Sequence, residues 1–308
     1  MIQGEWWRRG WAVAAAAVVA MALLQFHEHV PNVGNLGSLL ETFLPWLGLA
    51  AVPLAAVAVY RRAPVGLAVV AALLALWLVM FAGTLWPKGT GGGDLRVVTH
   101  NISAHNTSVK ETADDLLAAH ADLVAVEEIS GDTGSILQDA FADRYPHRAL
   151  ASTVGLWSRF PISSAEPLDL GLSWARALRA VVDTDRGGVA VYVVHLASVR
   201  VGMLGFRSSQ RNVAIRLLAD KVAADPVRRV VVMGDFNGSS YDRALHPLLD
   251  QVRSAQRLAG RGFGFSWPAR FPLARIDQIL VRGLQPRRAW VMGRTGSDHR
   301  PVAANLDE

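Results

Sequence analysis

Three long runs without a single Asp, Glu, Lys or Arg, at residues 10–27, 42–60 and 63–87, constrain this chain more than any other feature. About 18–20 apolar residues in a helix cross ~30 Å of hydrocarbon, and a helix satisfies every backbone N–H and C=O without water. Trp6, Trp7 and Trp11 sit at one end of the first run, and Trp86 closes the third, where amphipathic rings favour the interface. Pro45 and Pro53 lie inside the second, which a helix bundle tolerates. Arg8-Arg9 before an apolar run also fits a cleaved signal peptide. Two further runs follow, however, and no clear small-x-small cleavage site lies directly before the charged Glu28, where residues 23–27 are Leu-Leu-Gln-Phe-His, so the first helix is read as retained. Arg8 and Arg9 precede the first run and Arg61 and Arg62 separate the second from the third, while the intervening loop has no Lys or Arg. That bias places the N-terminus in the cytoplasm and, with three spans, everything after Trp86 outside. Residues 1–87 are thus expected to form a three-helix membrane anchor, with the bilayer itself as partner.

Residues 88–94 are Gly-rich and read as a flexible linker. From there to the C-terminus the composition is that of a water-exposed globular domain, 95–308. Residues 94–195 carry 8 basic and 14 acidic side chains, and 196–308 carry 18 and 9. A basic half suits an anionic partner, although most individual Arg residues of such a domain are simply solvated. Cysteine is absent, which excludes disulfides and thiolate metal sites.

Leu95–Asn101 reads as a β-branched strand. Val109, Ala113, Leu116 and Leu117 give helical spacing over 107–120, with Asn106 or Thr107 as the cap and Glu111 in the first turns. Residues 122–128 form a nearly continuous apolar strand, the pattern of a sheet buried on both faces. Further strands are expected at 153–158, 176–183, 188–195, 229–233 and 276–281, and helices at 207–224 and 241–250. Neither a Gly-x-Gly-x-x-Gly fingerprint nor a Walker loop is present, which argues against nucleotide-binding folds. The expected fold is an α/β sandwich of two sheets.

Polar residues recur at the C-terminal ends of these apolar strands: Asn101, Glu127-Glu128, His195, and Asp235 with Asn237. A Gly-Asp at a strand end is usually a turn, a lone His is more often a satisfied core residue, and a Glu pair can simply start a loop. Together they make a rim of hard oxygen donors and imidazole, which suits Mg²⁺ or Mn²⁺ better than Zn²⁺.

In order along the chain, the informative stretches begin with His100-Asn101, Asp122-Leu-Val-Ala-Val-Glu-Glu128-Ile, Ser158-Arg159-Phe-Pro-Ile162 and Val194-His195-Leu196. Gly234-Asp235-Phe236-Asn237, Arg275-Ile-Asp277-Gln-Ile-Leu280 and Ser297-Asp298-His299-Arg-Pro-Val302 complete the series. The domain resembles the endonuclease/exonuclease/phosphatase superfamily, deoxyribonuclease-I-like and of a membrane-anchored bacterial type. The resemblance implies Glu128 as principal metal ligand, with Asn101 and Asp298 completing or supporting the shell. It implies that Asp235 or His299 activates the attacking water, that Asp277 orients His299, and that Asn237 and His195 hold the phosphoryl oxygens, His195 also as a proton donor. Arg179 is the candidate for a phosphate contact, with Arg176 close behind and both also readable as structural. Two positions depart from the family pattern. Glu127 stands where Gln is frequent, and Ser103 replaces the Asp that follows Asn101 in the abasic-endonuclease branch. These implications amount to a membrane-anchored, Mg²⁺-dependent phosphoester hydrolase with an extracytoplasmic site, acting on a lipid head group, nucleic acid or small phosphoester. An extracellular nuclease and a catalytically inactive membrane-bound sensor are the alternatives, and no protein partner is inferred. Phe263, Phe265 and Trp267, in the Gly-rich stretch 260–268, read either as a substrate or lipid-contact loop or as packing onto the core.

Overall fold

Adjacent residues in the first strand show how the domain is built. In β1 (Leu95–Asn101) Val97 faces one hydrophobic core and Val98 another, because successive side chains of a strand point to opposite faces. The computed structural model describes residues 10–89, 91–202 and 205–308. Trp6, Trp7, Arg8 and Arg9 lie outside them.

After β1 come β2 (Leu123–Glu127), β3 (His147–Ala151), β4 (Val154–Ser158), β5 (Ile162–Pro167), β6 (Ala177–Thr184) and β7 (Gly187–His195). A hairpin of β8 (Val201–Gly202) and β9 (Gly205–Phe206) precedes β10 (Val230–Asp235). Then follow β11 (Arg253–Ser254), β12 (Asp277–Arg282), β13 (Gln285–Val291) and β14 (Val302–Asp307). They form two mixed six-stranded sheets, β13-β14-β1-β2-β4-β3 and β11-β12-β10-β7-β6-β5. The pairs β1–β2 and β7–β10 are parallel, and the other pairings are antiparallel.

The sheets pack face to face. Val97, Leu123, Ala125 and Leu156 from the first meet Leu178, Val191, Met233 and Ile279 from the second in one buried cluster. The outer face of the first sheet is covered by the helices Val109–Ala118 and Thr133–Phe141 through Leu116, Leu137 and Phe141. The helix Ser209–Ala223 covers the second through Ala214, Ile215, Leu218 and Val222. This is the expected two-sheet sandwich. The helix expected over 241–250 is only a 3₁₀ turn (Arg243–Leu245) and one α turn (His246–Leu249), since Pro247 cannot donate to, and clashes with, the carbonyl four residues back. The first helix starts at Val109, and Asn106 instead accepts from the Ser108 N–H at 2.8 Å.

The N-terminal region is helical. Trp11–Gln25 buries Val13, Ala17, Ala20 and Leu24 along one stripe, against Pro64–Leu85. Among the described residues Pro64–Leu85 is the one helix long and apolar enough to cross a membrane. Trp11–Gln25 has 15 residues, and Val33–Thr42 with Leu44–Tyr60 meets the same test only as a pair bent by 75°. One helix, or two segments counting the bent pair, thus meets the length and composition of a span where the sequence suggested three. The bend falls at Phe43, whose φ/ψ of −107°/18° is non-helical, directly before a 3₁₀ segment that carries Pro45 at its start.

This region packs on the domain. Arg243 sits at its centre: its guanidinium pairs with the fully buried Glu41 at 2.8 Å and donates to the carbonyl of Val30 at 2.9 Å. Trp46 Nε1 donates to the Leu273 carbonyl at 2.7 Å, and Asn35 Nδ2 to that of Phe206 at 2.9 Å. The Gly-rich connection lies against the domain as well: Lys88 Nζ donates to Arg257 O, Asn305 Nδ2 donates to Gly91 O, and a Cβ at Gly93 would overlap the Leu306 carbonyl.

Candidate active site

Parallel pairing within each sheet brings the polar strand ends together. Asn101 pairs in register with Glu127 across β1 and β2, while Asp235 pairs with His195 across β7 and β10 and with Asp277 across β12. Each apolar strand runs out of core residues at the same edge of the sandwich, so the first polar residue of each enters one cleft.

Glu128, just past β2, has φ = 62° and a partly exposed side chain. Its carboxylate accepts from Asn101 Nδ2 at 3.0 Å and from the Ala104 N–H at 2.9 Å. Asn101 also donates to Asp235 Oδ2 at 3.1 Å, which ties the two sheets across the cleft. Asp235 accepts from the Asn237 N–H at 2.8 Å, and Asn237 Nδ2 donates to the Leu196 carbonyl at 3.0 Å. Gly234, at φ = 141°, precedes Asp235, and a Cβ there would overlap the Val194 carbonyl oxygen of the neighbouring strand. Only glycine meets both demands.

On the far side His299 Nδ1 lies 2.9 Å from Asp277 Oδ2, which also accepts from Ser266 Oγ at 2.6 Å. Ser297 fixes this turn by donating to the Asn101 carbonyl at 2.7 Å and accepting from the His299 N–H. Burial alone would push the His299 imidazolium towards deprotonation, but the charges of Asp277, Asp235 and Asp298 and the Asp277 hydrogen bond outweigh it, raising its pKa to about 10. Burial, reinforced by Asp277 and opposed by His299, lifts Asp235 to about 7. His195 is held neutral, its pKa well below the usual histidine value through burial and then the charges of Arg176 and His299.

The structure brings Asn101, Glu128, His195, Asp235, Asn237, Asp277 and His299 into one cleft. Asp298 is exposed at its rim, with Oδ2 3.4 Å from Trp267 Nε1. Arg179 is not brought in: it is paired with Asp225 at 2.7 and 2.9 Å, beside Tyr192, whose hydroxyl bonds the same carboxylate. Arg176 holds the cleft position, with Nη2 2.7 and 2.9 Å from the two His195 ring nitrogens and its guanidinium over Trp174. Alternation along β6 explains the difference, since Arg179 leaves by the outer face whereas Arg176 precedes the strand at its open end. Ser266 was not foreseen, because nothing in its Gly-rich surroundings marks it.

Glu127 lies between the sheets close to Asp277, Asp235 and His299, whose charges it feels. It is fully buried, accepts from Thr99 Oγ1 at 2.7 Å, and burial raises its pKa well above the usual carboxylate range. A protonated glutamic acid is close in shape to glutamine, so this departure from the family pattern keeps the local chemistry neutral.

Asp235, Asp277 and His299 offer three buried ligand atoms within 4.8 Å of one another, and Glu128 and Asn101 add oxygen donors toward solvent. Three carboxylates gathered around one cleft suit a divalent cation, which would relieve their repulsion.

The sequence profile of the Endonuclease/Exonuclease/phosphatase family matches residues 98–299. The chain belongs to this family. Solved structures agree in fold. D. rerio TDP2 complexed with single-strand DNA product is 18% identical, with a TM-score of 0.61, covering 70% of this chain and 99% of that one. An endonuclease/exonuclease/phosphatase from Beutenbergia cavernae is 20% identical, with a TM-score of 0.55 over 69% of this chain and 71% of that one. The counterpart from Bacteroides vulgatus is 17% identical, with a TM-score of 0.56 over 69% and 98%. No curated protein matches the chain in sequence. The N-terminal helical region precedes the family match.

Proposed function

We propose that the protein is a divalent-metal-dependent phosphodiester hydrolase, anchored in a membrane by its N-terminal helices. The observation that carries the chemistry is the meeting of Asn101, Glu128, Asp235 and the Asp277–His299 pair at one edge of the sandwich. Glu128 and Asn101, supported by Asp298, would hold Mg²⁺ or Mn²⁺. A bound cation supplies Lewis-acid polarisation of a phosphoryl oxygen and charge relief at the leaving oxygen. Asp235, lifted to about 7, is placed to take the proton of an attacking water, because a base works best with a pKa near ambient pH. His299, its pKa raised to about 10, would keep its own proton at neutral pH and act as a fixed positive charge oriented by Asp277, which favours Asp235 over His299 as the base. Neutral His195 and Arg176 are the donors available to the phosphoryl oxygens, while Asn237 Nδ2, turned to the Leu196 carbonyl and Asp235, would have to release one of them to serve as a third.

Pro64–Leu85 supports the anchor, being 22 residues long and 22% buried over its most apolar window, so most of its apolar surface has no protein partner. On the reading that Trp11–Gln25 and the bent pair Val33–Thr42 with Leu44–Tyr60 each add a span to Pro64–Leu85, the Arg61-Arg62 loop lies in the cytoplasm and the catalytic domain outside. The 95–308 domain then sits directly on the outer face, joined through residues 88–94. A nuclease is the second reading, favoured by the 18 basic against 9 acidic residues of the C-terminal half.

The test is a substrate panel on the full chain in detergent: supercoiled DNA, RNA, phospholipids, inositol phosphates and an aryl phosphodiester, each with Mg²⁺ and with chelator. Metal-dependent cleavage of at least one diester is expected. No cleavage with any divalent metal overturns the reading in favour of a binding module. A C-terminal reporter active only in the cytoplasm overturns the topology.

A further inference from the structure

A groove of about 610 Å³ runs between two segments of the N-terminal region, 45–55 and 67–77, with the catalytic domain at one end, and its lining residues are apolar. Trp46 and Ala55 lie on one wall, Leu67 and Trp77 on the other, and Phe263 and Phe265 of the domain close one end. The indole N–H groups that could have made it polar are already used: Trp46 Nε1 donates to Leu273 O and Trp77 Nε1 to Pro45 O. Gly48 is needed for the shape, since a Cβ there would drive into the Trp77 ring. From Leu67 to Trp77 the helical wall rises about 15 Å, the depth of one leaflet of a ~30 Å hydrocarbon core.

The segment that closes this end runs on along the chain into the active site. Phe263 and Phe265 stack at 5.2 Å, and Phe265 stacks on Trp46 at 5.4 Å. The next residue, Ser266, donates to Asp277 at 2.6 Å, and Trp267 reaches Asp298. Five consecutive residues thus join the head of the groove to the Asp277–His299 edge of the cleft. The loops after β7 and β10 also touch the N-terminal region, through Phe206 and through Ser239 and Arg243.

We propose that the substrate is a membrane-lipid phosphodiester, with one acyl chain seated in this groove and its phosphate delivered to the cleft. The proposal rests on the membrane-anchored hydrolase reading above. A groove of leaflet depth, walled by a helix of membrane-spanning length and offering no free hydrogen-bonding group, selects hydrocarbon over a peptide, whose backbone groups would go unpaired there. In the reaction a water oxygen bonds to phosphorus and one P–O ester bond breaks. Asp235 takes the water's proton and returns it to solvent, and the leaving oxygen takes one from solvent.

The test uses the full chain with Mg²⁺ and compares vesicles of phosphatidylcholine, phosphatidylglycerol, phosphatidylinositol or sphingomyelin with their water-soluble deacylated counterparts. Bis(p-nitrophenyl) phosphate is the soluble control. Ala71 lines the groove but is exposed, so Ala71→Trp fills it without disturbing a core. Val79, on the same helix and 83% exposed, is not part of the lining, and Val79→Trp is the matched control. At least one lipid is expected to exceed its deacylated counterpart about tenfold or more in kcat/KM. Ala71→Trp removes that preference and leaves the control substrate unchanged, while Val79→Trp changes neither. A preference that survives Ala71→Trp, or no preference for any lipid, overturns the groove assignment. Failure of the wild type on every substrate, the aryl diester included, overturns the hydrolase reading instead.

Discussion

Replacing Asp277 by Asn removes one charge from the cleft and almost no volume. Asp277 is 1% exposed, His299 is 6% exposed, and their contact is 2.9 Å. Loss of the carboxylate leaves an imidazolium buried without its main partner, a situation that costs about 3–5 kcal/mol if the charge stays. Giving up the proton avoids that cost. The His299 pKa should therefore fall from about 10 towards or below the ordinary 6.5. Asp235 loses a negative neighbour that raises its pKa, but it also loses the imidazolium that lowers it. Turnover at pH 7.5 should drop on the order of 10²–10⁴-fold, the range associated with losing an oriented, charged catalytic histidine. NMR titration of the metal-free protein reads the His299 ring directly, and kcat against pH reads its effect. In the variant the rate should decline as pH rises through the new, lower His299 pKa, whereas wild type holds its activity to a more alkaline limit. An unchanged His299 titration, or activity within threefold of wild type, would refute the role given to this pair.

Four further outcomes follow from the same geometry. Arg176→Ala should reduce kcat/KM on the order of 10²-fold with little change in melting temperature, as expected for a lost phosphate donor. Arg179→Ala should instead destabilise by about 3 kcal/mol by stranding the buried Asp225, with kcat/KM preserved in the protein that remains folded; denaturant melts and steady-state kinetics on both variants separate the two. Gly234→Ala should yield no folded domain, since a positive φ and a clash with the Val194 carbonyl coincide; a soluble, cooperatively melting variant would contradict this. For the metal-free protein, stability should decline with rising pH in two windows. The raised His299 pKa contributes stability that is complete below about 6.5 and lost as pH rises through about 10, and Asp235 favours folding while protonated, an advantage lost between about 3.8 and 7. Thermal melts from pH 4 to 10 check the sign.

The sequence exposed those parts of the site where an apolar strand stops abruptly at a polar residue. Asn101, Glu128, His195 and Asp235 were visible for that reason, and parallel pairing of β1 with β2 and β7 with β10 then forces them to one edge. Side-chain direction was less legible. Arg176 and Arg179 are three residues apart, and only the start of β6 at Ala177 decides which of them enters the cleft. The edge strands β3, β5 and β13 carry exposed residues such as Arg148, Ser164 and Arg287, which blur the alternation that signals a strand. The bend at Phe43 is not legible because the uncharged run 42–60 has the composition of one span, while Trp46 and the Glu41–Arg243 pair pin its start to the domain.

The central claim is that a divalent cation held through Glu128 serves phosphodiester hydrolysis in this cleft. It is tested most directly by measuring Mn²⁺ binding by electron paramagnetic resonance alongside bis(p-nitrophenyl) phosphate turnover, in wild type and Glu128→Ala. The account predicts saturable Mn²⁺ binding and metal-dependent turnover in wild type, with both lost in a variant that melts at the wild-type temperature. Turnover that persists in Glu128→Ala with its metal dependence intact would contradict it.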